Sequence, residues 1–580
     1  MKQEEYAFFP NYSSREDLAK YGDNALLLYT LQLKYSIEDI DEVATDSLVD
    51  GADDKKTDLV YIDLERSEAV IAQGFFSKKD RGEAPANKAS DLNTAVSWLL
   101  TRQIEDLPDR IKSAARELRQ KIEDDEITRI TIWYSHNLPE SENVRQELIS
   151  VEHTLYSILS EHYSEKGIES HSLEVGLETL NEWYLGLTIP ILMTDEIVIN
   201  NCDGFSNNGT DWNSFSTSIH ADILYELYQA HSTALFSANV RDYLGSRRSD
   251  SNINNGIKNT ATETPKNFFV YNNGITALVN GFDYDAETKI LKISGLSIVN
   301  GAQTTGAIGS LNEPPIESML IPIRLIKCSN PDTVASIVKY NNSQNKINAP
   351  DFRSNDQHQK RITSEFGSIP QLEYTSRRGG SADIIRRNPN VLPSITAGQV
   401  IAAFHGEPSI AYNDKSKIWD SDRLYSKFFN DQTTAKHITL CYSLMKTIEE
   451  LKIELLNTEE ELMKDQEKNL LAFLRSRGSI VLFTTAISDC LENLINRRIA
   501  NKFSVEFCRN ISLDEAKILW RPIVNIGTSF VSQLNEGLQD GIKNQQRISA
   551  ARTTFVSLMT AVRSANSEIV NAFAEEICNN

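Results

Sequence analysis

Between Phe268 and Asp356 the chain concentrates amides and hydroxyls and carries few charges. Asn272, Asn273, Thr276, Asn300, Gln303, Thr304, Thr305, Asn341, Asn342, Ser343, Gln344 and Asn345 all fall in this stretch. A side-chain amide both donates and accepts on a short uncharged stem. Such a set suits a nucleotide, a base edge or a phosphodiester backbone. It equally suits a buried network that pins loops to a sheet. Asn273-Gly274, Asn280-Gly281 and Asn300-Gly301 mark tight turns, because Gly accepts positive φ and Asn tolerates it.

Cationic and anion-binding features flank this set. Asn300-Gly301 precedes AQTTGAIGSL, which predicts a turn delivering a helix whose first N–H groups point outward beside Thr304 and Thr305. Pro350 predicts the start of a helix carrying Arg353, Gln357, Lys360 and Arg361. YTSRRGG places Tyr374 near Arg377 and Arg378, a pairing of ring and guanidinium that suits bases. Upstream, FSANVRDYLG supplies Arg241. The candidate nucleotide or nucleic-acid site is Arg241, Asn272, Asn273, Gln303, Thr304, Asn342, Gln344, Asn345, Arg353, Arg377 and Arg378. YNNGIT, GLSIVNGAQTT and YNNSQNKINAPDFRSND, in this order and spacing, resemble the AIPR family of bacterial abortive infection phage resistance proteins. The resemblance implies an antiphage role, with a phage component as a possible trigger.

A second constellation lies near the amino terminus. Leu59–Ile62 and Ala69–Phe75 read as a hairpin, followed by a helix over Lys88–Gln103 and a strand over Ile127–Tyr134. This order resembles the PD-(D/E)xK nuclease core. There an Asp and a Glu or Gln on adjacent strands hold Mg²⁺, and a Lys two residues later steadies the scissile phosphate. Asp58 stands at the first acid position and Gln73 at the second, so these two would be the metal ligands. Phe75 occupies the lysine position and can supply no charge; Lys78 or Lys79 would have to reach back from the loop. The resemblance therefore implies either a nuclease using Asp58, Gln73 and Lys78, or a degenerate fold in a non-catalytic protein that binds a nucleotide or a phage component and switches assembly state.

The elements that must position these residues predict a mixed α/β (α+β) chain. Residues 1–165 form a nuclease-like unit, 166–410 a central α/β unit, and 411–580 a helical unit suited to scaffolding or dimerisation. Tyr184–Asn200 reads as two strands, Asp203–Ser214 as loop and Phe268–Tyr271 as strand. The net charge of −22 opposes nucleic-acid binding by the chain as a whole. Residues 238–400 nevertheless carry 18 Lys plus Arg against 14 Asp plus Glu. The six cysteines, with no CxxC, read as reduced thiols of a cytoplasmic protein. Neither a signal peptide nor an apolar run of about 18 residues is present, so no membrane span is expected.

Overall fold

The computed structural model describes residues 3–49, 51, 53–79, 81–188, 191, 193–231, 235–236, 248–311, 313–316, 319–328, 330–342, 353, 356–376, 390–459 and 461–579. The first sheet contains β1 (Leu59–Asp63), β2 (Glu68–Phe75), β3 (Arg129–His136) and β4 (Glu169–Val175), in that spatial order. The four-residue connection Leu64–Ser67 can only return the chain antiparallel, so β1 and β2 form a hairpin. β2 to β3 and β3 to β4 are parallel, because helices intervene. Val60, Ile71, Ile132 and Tyr134 pack on the side of the helices Ala86–Thr101, Asp109–Glu123 and Glu142–His162. Leu59, Val70, Ala72 and Trp133 pack with the helix Ala25–Tyr35 on the other. Cover on both faces explains why β2 reads as an unbroken apolar run rather than an alternation. The helix Asp109–Glu123 was not expected; its acidic and basic residues mask an apolar stripe of Ile111, Ala115, Leu118 and Ile122.

The second sheet has seven strands: β5 (Met193–Ile199), β6 (Gly204–Asn208), β7 (Trp212–His220), β8 (Ile275–Leu278), β9 (Gly281–Asp285), β10 (Ile290–Asn300) and β11 (Leu320–Cys328). Its path runs β5-β10-β8-β11-β7-β6, with β9 paired to β10. Three expectations change here. Tyr184 lies in a helix, Leu177–Thr188, so only the second apolar run is a strand. The polar stretch after Asp203 forms the β6–β7 hairpin, held by pairing rather than by apolar composition. Phe268–Tyr271 is one helical turn, not a strand; Phe268 is buried while Phe269, Val270 and Tyr271 are exposed.

Gly274 and Gly301 adopt positive φ, +79° and +98°, and their turns touch: a Cβ on Gly301 would lie 3.1 Å from the Gly274 carbonyl oxygen. A Cβ on Gly274 would sit 2.5 Å from the Pro322 carbonyl oxygen, which is backbone and cannot swing away. Gly274→Ala is therefore expected to destabilise the central unit by about 2–4 kcal/mol, combining left-handed strain with overpacking. A lowered melting temperature checks this, and an unchanged one rules the strain argument out.

From Gln357 onward the chain is mostly helical and shares one large core, built around the helices Ser394–Phe404 and Ala435–Leu456. The predicted helix start at Pro350 lies outside the described residues; the helix there runs Gln357–Phe366, capped by Asp356. This helical unit docks on the amino-terminal sheet unit. Lys446 donates to Asp39 at 2.9 Å and to Glu449 at 2.7 Å, Arg477 to Glu117 at 2.8 Å, and Lys415 to Glu42 at 2.6 Å. One cysteine expectation is corrected: Cys508 and Cys578 form a disulfide, with Cα atoms 4.9 Å apart. Antiparallel pairing of Val505–Phe507 with Ile577–Asn579 brings them together across 70 residues, which spacing in sequence cannot reveal. Cys202, Cys328, Cys441 and Cys490 are free thiols. Among the described residues no single helix is long and apolar enough to cross a membrane.

Candidate functional site

Asp58 immediately precedes β1. Its backbone N–H donates to the Ala72 carbonyl at 3.0 Å, and its carbonyl accepts from Val49 at 2.9 Å. Its Oδ2 accepts from the Gly74 N–H at 2.7 Å, which fixes the carboxylate against the end of β2. Gln73, one residue away, is 5% exposed, and its Oε1 is shielded without a hydrogen-bond partner. An unpartnered buried amide oxygen costs about 1–3 kcal/mol, so its persistence requires an explanation. Gln73 is in register with Tyr134 on β3. Burial first, then the charges of Glu174 and Asp58, push the Tyr134 phenol well above its ordinary range. Asp58, Gln73 and Tyr134 thus gather at one end of the sheet.

His136, which the sequence offered no reason to choose, lies at that end too. It is fully buried, with Nε2 3.1 Å from Glu174 Oε1 and Nδ1 3.0 Å from the Leu138 carbonyl. Lys78 is exposed on the loop after β2, where Asn137 clamps the neighbouring Ser77 through both backbone polar groups, at 2.7 and 2.9 Å. The ammonium brought to Phe75 belongs instead to Lys88, in the first turn of the helix Ala86–Thr101, 5.2 Å from the ring centroid. Nothing in sequence spacing pointed to Lys88; only the packing of that helix over β2 does. Among the described residues no three His, Cys, Asp or Glu side chains converge as a metal-ligand set. One carboxylate and one orphaned amide oxygen fit a hydrated hard cation such as Mg²⁺, which keeps several waters and takes one or two protein oxygens.

The central polar residues divide into two contacts. Asn272 Nδ2 donates to Thr304 Oγ1 at 3.1 Å, and Asn272 Oδ1 accepts from the Gly274 N–H at 2.9 Å. Thr305 turns its hydroxyl back to the Gly301 carbonyl at 3.0 Å, within its own helix, Ala302–Gly309. Gln303 is half-buried and makes no side-chain hydrogen bond among the described residues, and Asn273 is exposed. The second contact centres on Arg324, whose Nη2 donates to Thr276 Oγ1 at 3.1 Å and to Asn341 Oδ1 at 2.9 Å. Thr276 is the register partner of both Asn300 and Arg324, so the two contacts meet along β8. Arg324 escaped sequence reasoning because it interrupts an aliphatic strand rather than joining a polar run.

Arg353 does not join this group. Its guanidinium donates to the Trp419 carbonyl at 2.6 Å, pairs with Asp422 at 2.8 Å and stacks 4.2 Å from the Tyr425 ring centroid. It is a structural contact to the helical unit. Of Asn342 only the backbone, which ends the helix Pro331–Asn342, is described. Arg241, Gln344, Asn345, Arg377 and Arg378 lie outside the described residues.

No curated protein and no solved structure matches the chain. Residues 236–568 match the model of the AIPR protein family, taking in β8 to β11 and nearly all of the helical unit. That is well over half of the 580 residues, so the chain belongs to the AIPR family, and its membership implies abortive-infection resistance to phage.

Proposed function

We propose that the chain acts in abortive infection by cleaving phosphodiester bonds at the end of the amino-terminal sheet that carries Asp58, under control of a polar ligand taken at the central sheet. The observation that carries the cleavage reading is the shielded, unpartnered Oε1 of Gln73 beside the fixed carboxylate of Asp58. The hairpin followed by parallel strands, with helices on both faces, supports the likeness to the PD-(D/E)xK core. Asp58 and Gln73 would hold Mg²⁺, which when bound polarises a phosphoryl oxygen and lowers the pKa of a bound water. Lys88 holds positive charge over Phe75, where the usual lysine is missing, with Lys78 the alternative. Asp58 accepts the Gly74 N–H and so presents a fixed orientation rather than a mobile carboxylate. The working compartment would be the cytoplasm, where phage nucleic acid is met. Incubating the full chain with plasmid and with RNA in Mg²⁺ or Mn²⁺ tests this reading, and metal-dependent cleavage by the wild type is expected.

A second reading, a non-catalytic nucleotide-switched protein, is favoured by Phe75 itself and by the exposed position of Lys78. For either reading the central site should bind a nucleotide. Nucleotide-dependent thermal stabilisation is expected in the wild type. Arg324→Ala and Gln303→Ala should each weaken it at least roughly tenfold, about the worth of one charge-assisted or buried hydrogen bond. If both variants are stabilised as the wild type is, the central polar group is only structural.

A further inference from the structure

The disulfide Cys508–Cys578 joins two short strands at the surface of the helical unit. Cys508 is exposed, just past the strand Val505–Phe507, and Cys578 is half-buried in the strand Ile577–Asn579. We infer that these two cysteines are a reversible redox-modification site, opened by a dithiol reductant and closed by a disulfide oxidant. Its state sets how firmly the strand Ile577–Asn579 and the start of the helix Ala435–Leu456 are held. The inference does not depend on cleavage at Asp58.

Thiol–disulfide exchange needs access to a sulfur, and exposed disulfides are the labile ones. Cys508 supplies that access. The strands on either side pair over three residues each, so little structure shields the bond. A thiolate of the reductant attacks Cys508 Sγ, the S–S bond breaks, and Cys578 leaves as a thiolate that takes a proton. The second thiol of the reductant then releases Cys508 as a thiol. Two electrons and two protons pass to the chain, and the reductant ends as a disulfide. Cys441 and Cys490 do not compete. Both are fully buried, and burial pushes both thiols up, Cys490 to about 12, so neither is a thiolate near neutral pH.

The strands that the bond joins are tied to the core. Phe507 and Ile577 are register partners and both are buried. The Val505 carbonyl accepts from His437 Nδ1 at 2.7 Å, and Glu506 accepts from the Thr434 hydroxyl at 2.8 Å. Thr434 caps the helix Ala435–Leu456, and His437 lies in its first turn. Lys446, on the same helix, docks on Asp39 of the amino-terminal unit. With the bond closed, a loop of 70 residues is constrained and the strand pair is fixed beneath the helix start. With it open, the strand Ile577–Asn579 rests on non-covalent contacts. Arg497 donates to the Ile577 carbonyl at 3.2 Å, Ser504 donates to Asn579 at 2.6 Å, and Arg509 pairs with Glu576 at 3.1 Å on the surface, where ion pairs contribute little.

The test uses the full chain, treated without denaturant. Thiols counted afterwards in denaturant are expected to number four after oxidised glutathione and six after dithiothreitol. Reduction should lower the melting temperature by at least about 5 °C, the scale for opening a long closed loop. Reoxidation should restore it. Amide exchange at residues 435–440 and 505–507 should quicken at least roughly threefold on reduction. Cys508→Ser should match the reduced wild type in both readouts and should not respond to dithiothreitol. The inference is overturned if six thiols are counted after oxidation, or if the bond resists dithiothreitol until denaturant is added. It is overturned equally if reduction leaves the melting temperature or the exchange rates unchanged.

Discussion

Asp58→Ala is expected to lower metal-dependent cleavage by roughly 10²- to 10³-fold, the usual consequence of removing a group that organises charge at the reacting phosphate. The folding cost should be small. The variant loses the hydrogen bond from the Gly74 N–H to Oδ2, worth about 1 kcal/mol. It keeps the backbone pairing of residue 58 with Ala72 and Val49. Activity and stability therefore separate in this variant. Phe75→Ala should leave cleavage largely intact, because the ring carries no charge. Lys88→Ala and Lys78→Ala then distinguish two sources of the missing cation, and the larger loss is expected for Lys88, which lies over the Phe75 ring. Phe75→Lys should rescue Lys88→Ala by returning the charge to the strand. Gln73→Glu should lower the half-saturating Mg²⁺ concentration, since a carboxylate is the stronger hard-cation ligand. Cleavage that persists undiminished in Asp58→Ala would place the chemistry elsewhere. No cleavage with any divalent metal would leave the binding reading.

The amino-terminal hairpin was legible because both of its strands are short, aliphatic and separated by four turn residues. Asp58 and Gln73 come from the resemblance to the nuclease core, and the hairpin makes them neighbours because its two outer ends pair. The cation was not legible, because Lys88 reaches Phe75 only through tertiary packing of a helix. The Asn-Gly steps at Asn273 and Asn300 correctly marked turns, and the positive φ of Gly274 and Gly301 is the reason. Phe268–Tyr271 misled because aromatic and β-branched residues favour strands, while one exposed helical turn needs no such preference. The β6–β7 hairpin was hidden for the opposite reason: exposed strands can be polar throughout, and β6 is exposed along its whole length. Lys446, Lys452 and Glu449 are buried, against the ordinary rule for charged residues, because they meet partners more than 400 residues away or at a helical step of three. No local pattern encodes such a contact.

That buried charge makes the second large effect. Lys446→Met is expected to destabilise the docked pair of units by about 3–5 kcal/mol, the cost of removing one member of a buried charge cluster. The ammonium bridges Asp39 at 2.9 Å and Glu449 at 2.7 Å, and the side chains of both acids are almost completely shielded, at 3% and 4% exposure. Methionine fills a similar volume, so the loss is electrostatic rather than a cavity. The pH dependence follows from Glu449, whose carboxyl burial pushes up to about 8 from an ordinary 4.5. An acid with a raised folded pKa contributes stability that is fully present below its unfolded pKa and is lost as pH rises through the folded one. Wild-type stability from this group therefore falls between about pH 4.5 and pH 8, with a slope that cannot exceed about 1.4 kcal/mol per pH unit. Glu449→Gln should flatten that slope. Lys446→Met should carry the fall on to higher pH, because removing the cation raises the folded pKa of the carboxyl further while the unfolded value stays put. The loss in Lys446→Met is accordingly larger at pH 8.5 than at pH 5.5, and chemical denaturation at the two values measures it. A pH-independent loss would mean that Lys446 acts through packing alone, and the docking of the helical unit on the sheet unit would then rest on its apolar contacts and the peripheral ion pairs.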